Sequence, residues 1–153
     1  MSFSNGEITI LVIENNSADA CLMKEALASA GITSGVHYVS DGEEALAHLD
    51  RQTEDRSLIL PDLIFLDLHL PKLSGLELLH KLKSTPEFTH IPVVVISGSE
   101  DPEMVRSVYT AGGNCFIGKP IDLDDFIRFI QQCILFWGSV ATLSPRVQQA
   151  GSA

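Results

Sequence analysis

Four short apolar runs of this sequence end in groups that can do chemistry. Residues 8–13 (ITILVI) run into Glu14-Asn15, 63–66 (LIFL) into Asp67, 91–96 (IPVVVI) into Ser97-Gly98, and 114–117 into Gly118-Lys119-Pro120. A further run, 36–39, closes on Ser40-Asp41. Ending a buried run in a charge is costly unless the charge is paired or solvated. Carboxylates gathered at one edge repel and raise one another's pKa. A hard dication relieves that repulsion, and an all-oxygen donor set suits Mg2+. A lysine opposite them neutralises charge and can hold a phosphoryl oxygen as a point charge. Taken singly, each residue has a plainer reading: Asp67 as a loop cap, Lys119 as a surface lysine, Ser97 as a structural hydroxyl. Their joint placement at successive run ends favours a common site.

The elements that must position these groups follow from hydrophobic spacing. The apolar runs are short and rich in β-branched residues, the pattern of strands buried on both faces. Between them lie stretches with apolar residues at helical spacing: 16–31, about 41–50, about 74–83, about 101–111 and about 122–137. Ser40 or Asp41, Asp101 and Asp122 are expected as helix caps, and Pro102 as a first helical residue. Residues 51–60 read as a polar loop. Five strands alternating with five helices make a (βα)5 α/β fold, a parallel sheet with helices on both faces. In such sheets ligands bind beyond the carboxyl ends of the strands.

Composition narrows the classes of function. The chain has 153 residues, 45% of them apolar and 20% charged, with net charge −10. That suits one domain with a substantial core, placed at 8–137 with flexible tails 1–7 and 138–153. The negative surface argues against binding nucleic acid or an anionic membrane. No run approaches the length of a membrane span, and the start has no signal-peptide pattern. The widely spaced Cys21, Cys115 and Cys133 fit neither a disulfide framework nor a zinc site. They read as buried free thiols, which points to a reducing, cytoplasmic setting.

The stretches ILVIENNSAD (10–19), PDLIFLDLHLPKLSG (61–75), IPVVVISG (91–98) and FIGKPID (116–122) resemble, in order and spacing, the receiver domains of two-component response regulators. NCFIGKPIDLDDF (114–126) and Phe136-Trp137 look closest to the stand-alone regulators that work with cyanobacterial phytochromes. The resemblance implies a flavodoxin-like doubly wound fold with strand order 2-1-3-4-5. It implies phosphorylation of Asp67 by a histidine kinase of the bacteriophytochrome type. Mg2+ would be held by Glu14, Asn15, Asp67 and the backbone carbonyl of His69. Lys119, with a cis bond to Pro120, and Ser97 would contact the phosphoryl group, and Phe116 would be the aromatic switch. The protein would be a signalling switch with slow self-dephosphorylation rather than a turnover enzyme.

Asn15 departs from the family pattern, which has aspartate there. An amide can coordinate but carries no charge, so weaker Mg2+ binding is expected. The same departure keeps open an alternative, an unphosphorylated pseudo-receiver acting as a binding scaffold. A phosphatase would want a second acid where His69 stands, and a flavin carrier a phosphate-cradling loop where Glu14-Asn15-Asn16 stands. After Trp137 only 16 residues follow, so output by contact with another protein is expected. Leu135, Phe129 and Phe136 fall off the apolar stripe of the last helix. They suggest a homodimer through the helix 4, strand 5 and helix 5 face.

Overall fold

A computed structural model of the chain describes residues 8–55 and 57–146. The expected N-terminal tail 1–7 and residues 147–153 lie outside the described residues. Strands and helices alternate: β1 (Ile10–Ile13), α1 (Ser17–Ser29), β2 (Val36–Val39), α2 (Gly42–Glu54), β3 (Leu63–Asp67), α3 (Gly75–Ser84), β4 (Val93–Ser97), α4 (Pro102–Thr110), β5 (Cys115–Gly118) and α5 (Leu123–Leu135). A π-helical turn, Phe136–Val140, extends α5. All strand pairs are parallel, in the order β2-β1-β3-β4-β5.

The sheet is buried between two apolar layers because its central strands alternate between them. Leu11, Ile13, Ile64, Leu66, Val93 and Val95 face the layer formed with α2, α3 and α4. Ile10, Val12, Leu63, Phe65, Val94 and Ile96 face the layer formed with α1 and α5. Every residue of β1, β3 and β4 is buried. With both faces covered, these strands are apolar up to the last residues of β3 and β4, Asp67 and Ser97. On the edge strands β2 and β5 only Val39 is buried.

Helix starts carry local signals that the structure satisfies. The side chains of Asn16, Asp41, Ser74 and Asp122 accept hydrogen bonds from backbone N–H groups in the first turns of α1, α2, α3 and α5. Asp101 occupies the cap position of α4, with Pro102 following, but its side chain makes no capping bond.

Several expectations need correction. Residues 51–54 are helix, not loop, and Gln52 explains it: the side chain is buried, and its Nε2 donates to the carbonyl of Ile59 at 2.8 Å. There is no cis peptide bond among the described residues, so Lys119–Pro120 is trans, the lower-energy isomer for an X–Pro bond. Cys21 is exposed and Cys115 and Cys133 are half-buried. Position 21 lies about 200° round α1 from Met23, off the buried stripe of Met23, Ala26 and Leu27. After Trp137, Arg146 pairs with Asp62 at 3.0 Å. Leu143 packs on the α1–α5 layer. None of the described helices is long and apolar enough to cross a membrane.

Candidate functional site

The strand order places β1 beside β3, so the residues that follow them meet. Glu14 comes directly after β1, and Asp67 is the last residue of β3. Lys119 follows β5 and crosses back over β4. Its backbone N–H donates to the carbonyl of Ser97 at 2.7 Å, which fixes where its side chain starts. The ammonium then donates to Glu14 Oε1 at 3.0 Å and lies 3.6 Å from Asp67 Oδ2. Beneath the charges lies an apolar floor of Val12, Met23, Phe65, Ile96 and Phe126. Little water reaches them from below, and the pairing is stronger than it would be at an open surface.

Asp67 is only 7% exposed, and its Oδ1 accepts the backbone N–H of His69 at 3.0 Å. Burial, then contact with Asp67, pushes the Glu14 carboxyl up to about 7, against the lowering effect of Lys119. Burial alone would lower the Lys119 pKa. Hydrogen bonds to Asp19 and Glu14, with the charges of Glu14 and Asp67, outweigh it and hold the ammonium firmly protonated. The cluster is therefore rich in anionic groups with a single cation among them, the condition that favours a second, divalent cation.

Ser97 is fully buried at the end of β4, and its Oγ accepts the N–H of Ser99 at 3.2 Å. Asn15 lies on the exposed rim next to Glu14, and His69 is exposed beyond Asp67. Among the described residues, no group of three or more His, Cys, Asp or Glu side chains is arranged to hold a metal. The available oxygen donors are the Glu14 and Asp67 carboxylates, the Asn15 amide and backbone carbonyls, His69 included. That set is hard and oxygen-only, and it fits Mg2+ with less charge than three acids would supply.

Phe116 is not part of the charged cluster. It is half-buried on β5, packed against the α2–α3–α4 layer, and its N–H donates to the Tyr109 hydroxyl at 3.1 Å. Sequence reasoning missed Asp19. Its Oδ2 lies 2.9 Å from Lys119 Nζ. The available signal was an acid in the first turn of the helix that begins just after Glu14-Asn15.

The chain is similar to known proteins over most of its length. A family model described as the response regulator receiver domain matches residues 10–131. The response regulator Rcp1 of Synechocystis sp. is 36% identical over 140 residues, covering 92% of this chain and 95% of its own. A structure of the phosphorylated cyanobacterial phytochrome response regulator RcpA superposes with a TM-score of 0.84 at 38% identity, covering 92% of this chain and all of that one (100%). The Mn2+-bound form of Rcp1 superposes with a TM-score of 0.81 at 35% identity, covering 90% of this chain and 99% of that one.

Proposed function

The chain belongs to the response regulator receiver domain family, and from that premise we propose that Asp67 accepts a phosphoryl group from a phosphohistidine on a partner kinase. An Asp67 oxygen attacks phosphorus in line with the P–N bond. The P–O bond forms as the P–N bond breaks, and its electron pair returns to an imidazole protonated on its other nitrogen. The observation that carries this reading is the convergence of Lys119 on Glu14 and Asp67 at the carboxyl edge of the sheet.

Glu14, Asp67, the Asn15 amide and the His69 carbonyl are the residues that would hold Mg2+. When bound, the ion would offset negative charge on the acceptor and on the incoming phosphoryl oxygens. The chain's own residues do the rest. Apolar packing below Asp67 and the His69 N–H fix the acceptor's direction. Lys119 is close enough to transfer an N–H from a carboxylate to a phosphoryl oxygen. Ser97 Oγ, which accepts the Ser99 N–H, donates its own hydrogen to a phosphoryl oxygen. Phe116 then follows into the space beside β4, which couples the site to α4 and β5 by shape alone, since phenylalanine has no hydroxyl. Hydrolysis of the acyl phosphate resets the switch slowly.

The partner kinase we assign is a histidine kinase of the phytochrome type, on the likeness to Rcp1 and RcpA, in a cytoplasmic setting. Output passes through the α4–β5–α5 face to a second copy of the chain. Support comes from a cleft of about 510 Å3 between β5 and α5 that includes Phe116, Phe129, Phe136 and Trp137. Of its lining residues Phe129 and Phe136 are exposed, as are Tyr109 of α4 and Leu135 of α5. Transfer of labelled phosphate from an autophosphorylated histidine kinase tests the reading. Label should reach the parent chain and not Asp67→Asn. Equal labelling of both places the acceptor elsewhere, and no labelling of either favours the scaffold alternative.

A further inference from the structure

Asp19 makes a contact in the site that the phosphoryl chemistry above does not use. It is the third residue of α1, and its N–H donates to the Asn16 side chain at 3.0 Å, which sets the turn that aims it. Its Oδ2 lies 2.9 Å from the Lys119 ammonium, as close as Glu14 Oε1 at 3.0 Å and closer than Asp67 Oδ2 at 3.6 Å. Asp19 and Lys119 are 100 residues apart in sequence, so the contact is built by the fold.

We propose that Asp19 is a positioning residue: it holds the Lys119 ammonium on the α1 side of the site, leaves the Glu14 carboxylate free to turn to a divalent cation, and supplies the negative charge that Asn15 lacks. The proposal rests on the receiver reading given above. With a neutral Asn15, the cation and the lysine compete for the same two carboxylates, Glu14 and Asp67. A third acid that shares the lysine lessens the competition. It also returns the anionic count around the site to three. Asp19 does this without being a ligand, in keeping with the absence, among the described residues, of any three-residue metal group. The plainer role for Asp19 is an acid favourable to the N-terminal end of α1. That role would change helix stability and leave both Lys119 and the cation alone.

Two measurements on the full chain separate these roles. The first is Mn2+ affinity at fixed ionic strength, read from the electron paramagnetic resonance of the free ion. Asp19→Asn should bind about tenfold more weakly, the scale of one charge-assisted hydrogen bond. Asp19→Glu should stay close to the parent. Glu103→Gln, which removes the same charge from the first turn of α4, should not change affinity. The second is the 1H–15N signal of the Lys119 ammonium without metal, assigned with Lys119→Arg. It should be present in the parent and lost to fast proton exchange in Asp19→Asn. Parental Mn2+ affinity in Asp19→Asn, or equal weakening in Glu103→Gln, overturns the contribution to cation binding. An unchanged ammonium signal overturns the hold on Lys119. If the parent binds no Mn2+, the metal reading of the site fails, and the ammonium signal still decides what Asp19 does to Lys119.

Discussion

At the scale of single residues, the site is an imbalance of charge held over an apolar floor. Glu14 and Asp67 are both at least nine-tenths removed from water by side-chain area, and Lys119 is the cation between them. Asn15 sets how strongly that imbalance draws in a metal. Asn15→Asp should tighten Mg2+ binding about tenfold, one added charge contact. In chelator the same variant should melt lower than the parent, because an added carboxylate then repels the two buried ones. Calorimetric titration and a thermal melt read the two effects, and unchanged affinity removes the argument. Asp67 and Lys119 were legible in the sequence because each ends an apolar run, where a charge has no local reason to stand. Asp19 was not legible in the same way. An acid in the first turn of a helix has a sufficient local reason, and only the fold shows that it faces a lysine 100 residues away.

At the scale of elements, the acceptor is positioned by a loop packed against a helix start. Gly75, the first residue of α3, lies where a Cβ would come within 2.5 Å of Leu68 Cα and 2.7 Å of the Asp67 carbonyl oxygen. Those are backbone atoms and cannot rotate aside. Gly75→Ala should therefore destabilise by roughly 1–3 kcal/mol and slow phosphorylation by shifting the residues after Asp67. Gly118→Ala is the contrasting case. The three atoms nearest its Cβ all belong to the Glu100 side chain, which can swing away, so a small stability change is expected. Denaturant unfolding compares the two, and equal losses would contradict the argument. The βα alternation was readable because strands buried on both faces leave continuous apolar runs. The end of α2 was not, because Gln52 reads as a loop residue in sequence and is buried in the fold. Strand order came only from family resemblance, since hydrophobic pattern carries no information about which strands are neighbours.

At the scale of the whole molecule, a histidine pair and an exposed apolar face lie away from the acceptor. His37 shares a face of β2 with Val39 and stacks obliquely near His48 of α2, ring centroids 5.1 Å apart. Burial first, then the charges of His37 and Arg51, lower the His48 pKa, against a smaller opposing effect of Glu44. The folded state therefore disfavours a proton that the unfolded chain accepts near 6.5. Its contribution to stability is complete above that pH and is lost as pH falls through the lower, folded value. Melts of the parent and His48→Gln should converge above pH 7 and separate below it in favour of the variant. A constant offset at all pH values would contradict this. The apolar α4–β5–α5 face should give a dimer at tens of micromolar, read by light scattering, and Phe136→Asp should weaken it. A parent that stays monomeric with and without phosphodonor would remove the dimer.

On the proposed function, Asp67 takes up a phosphoryl group in a site completed by a divalent cation and Lys119. Incubation with acetyl phosphate and Mg2+, followed by intact mass measurement beside Asp67→Asn, tests it most directly. The parent should gain the mass of one phosphoryl group in the presence of Mg2+ and not in chelator, and Asp67→Asn should gain nothing. A parent whose mass never changes, or a variant that gains the same mass, would contradict it.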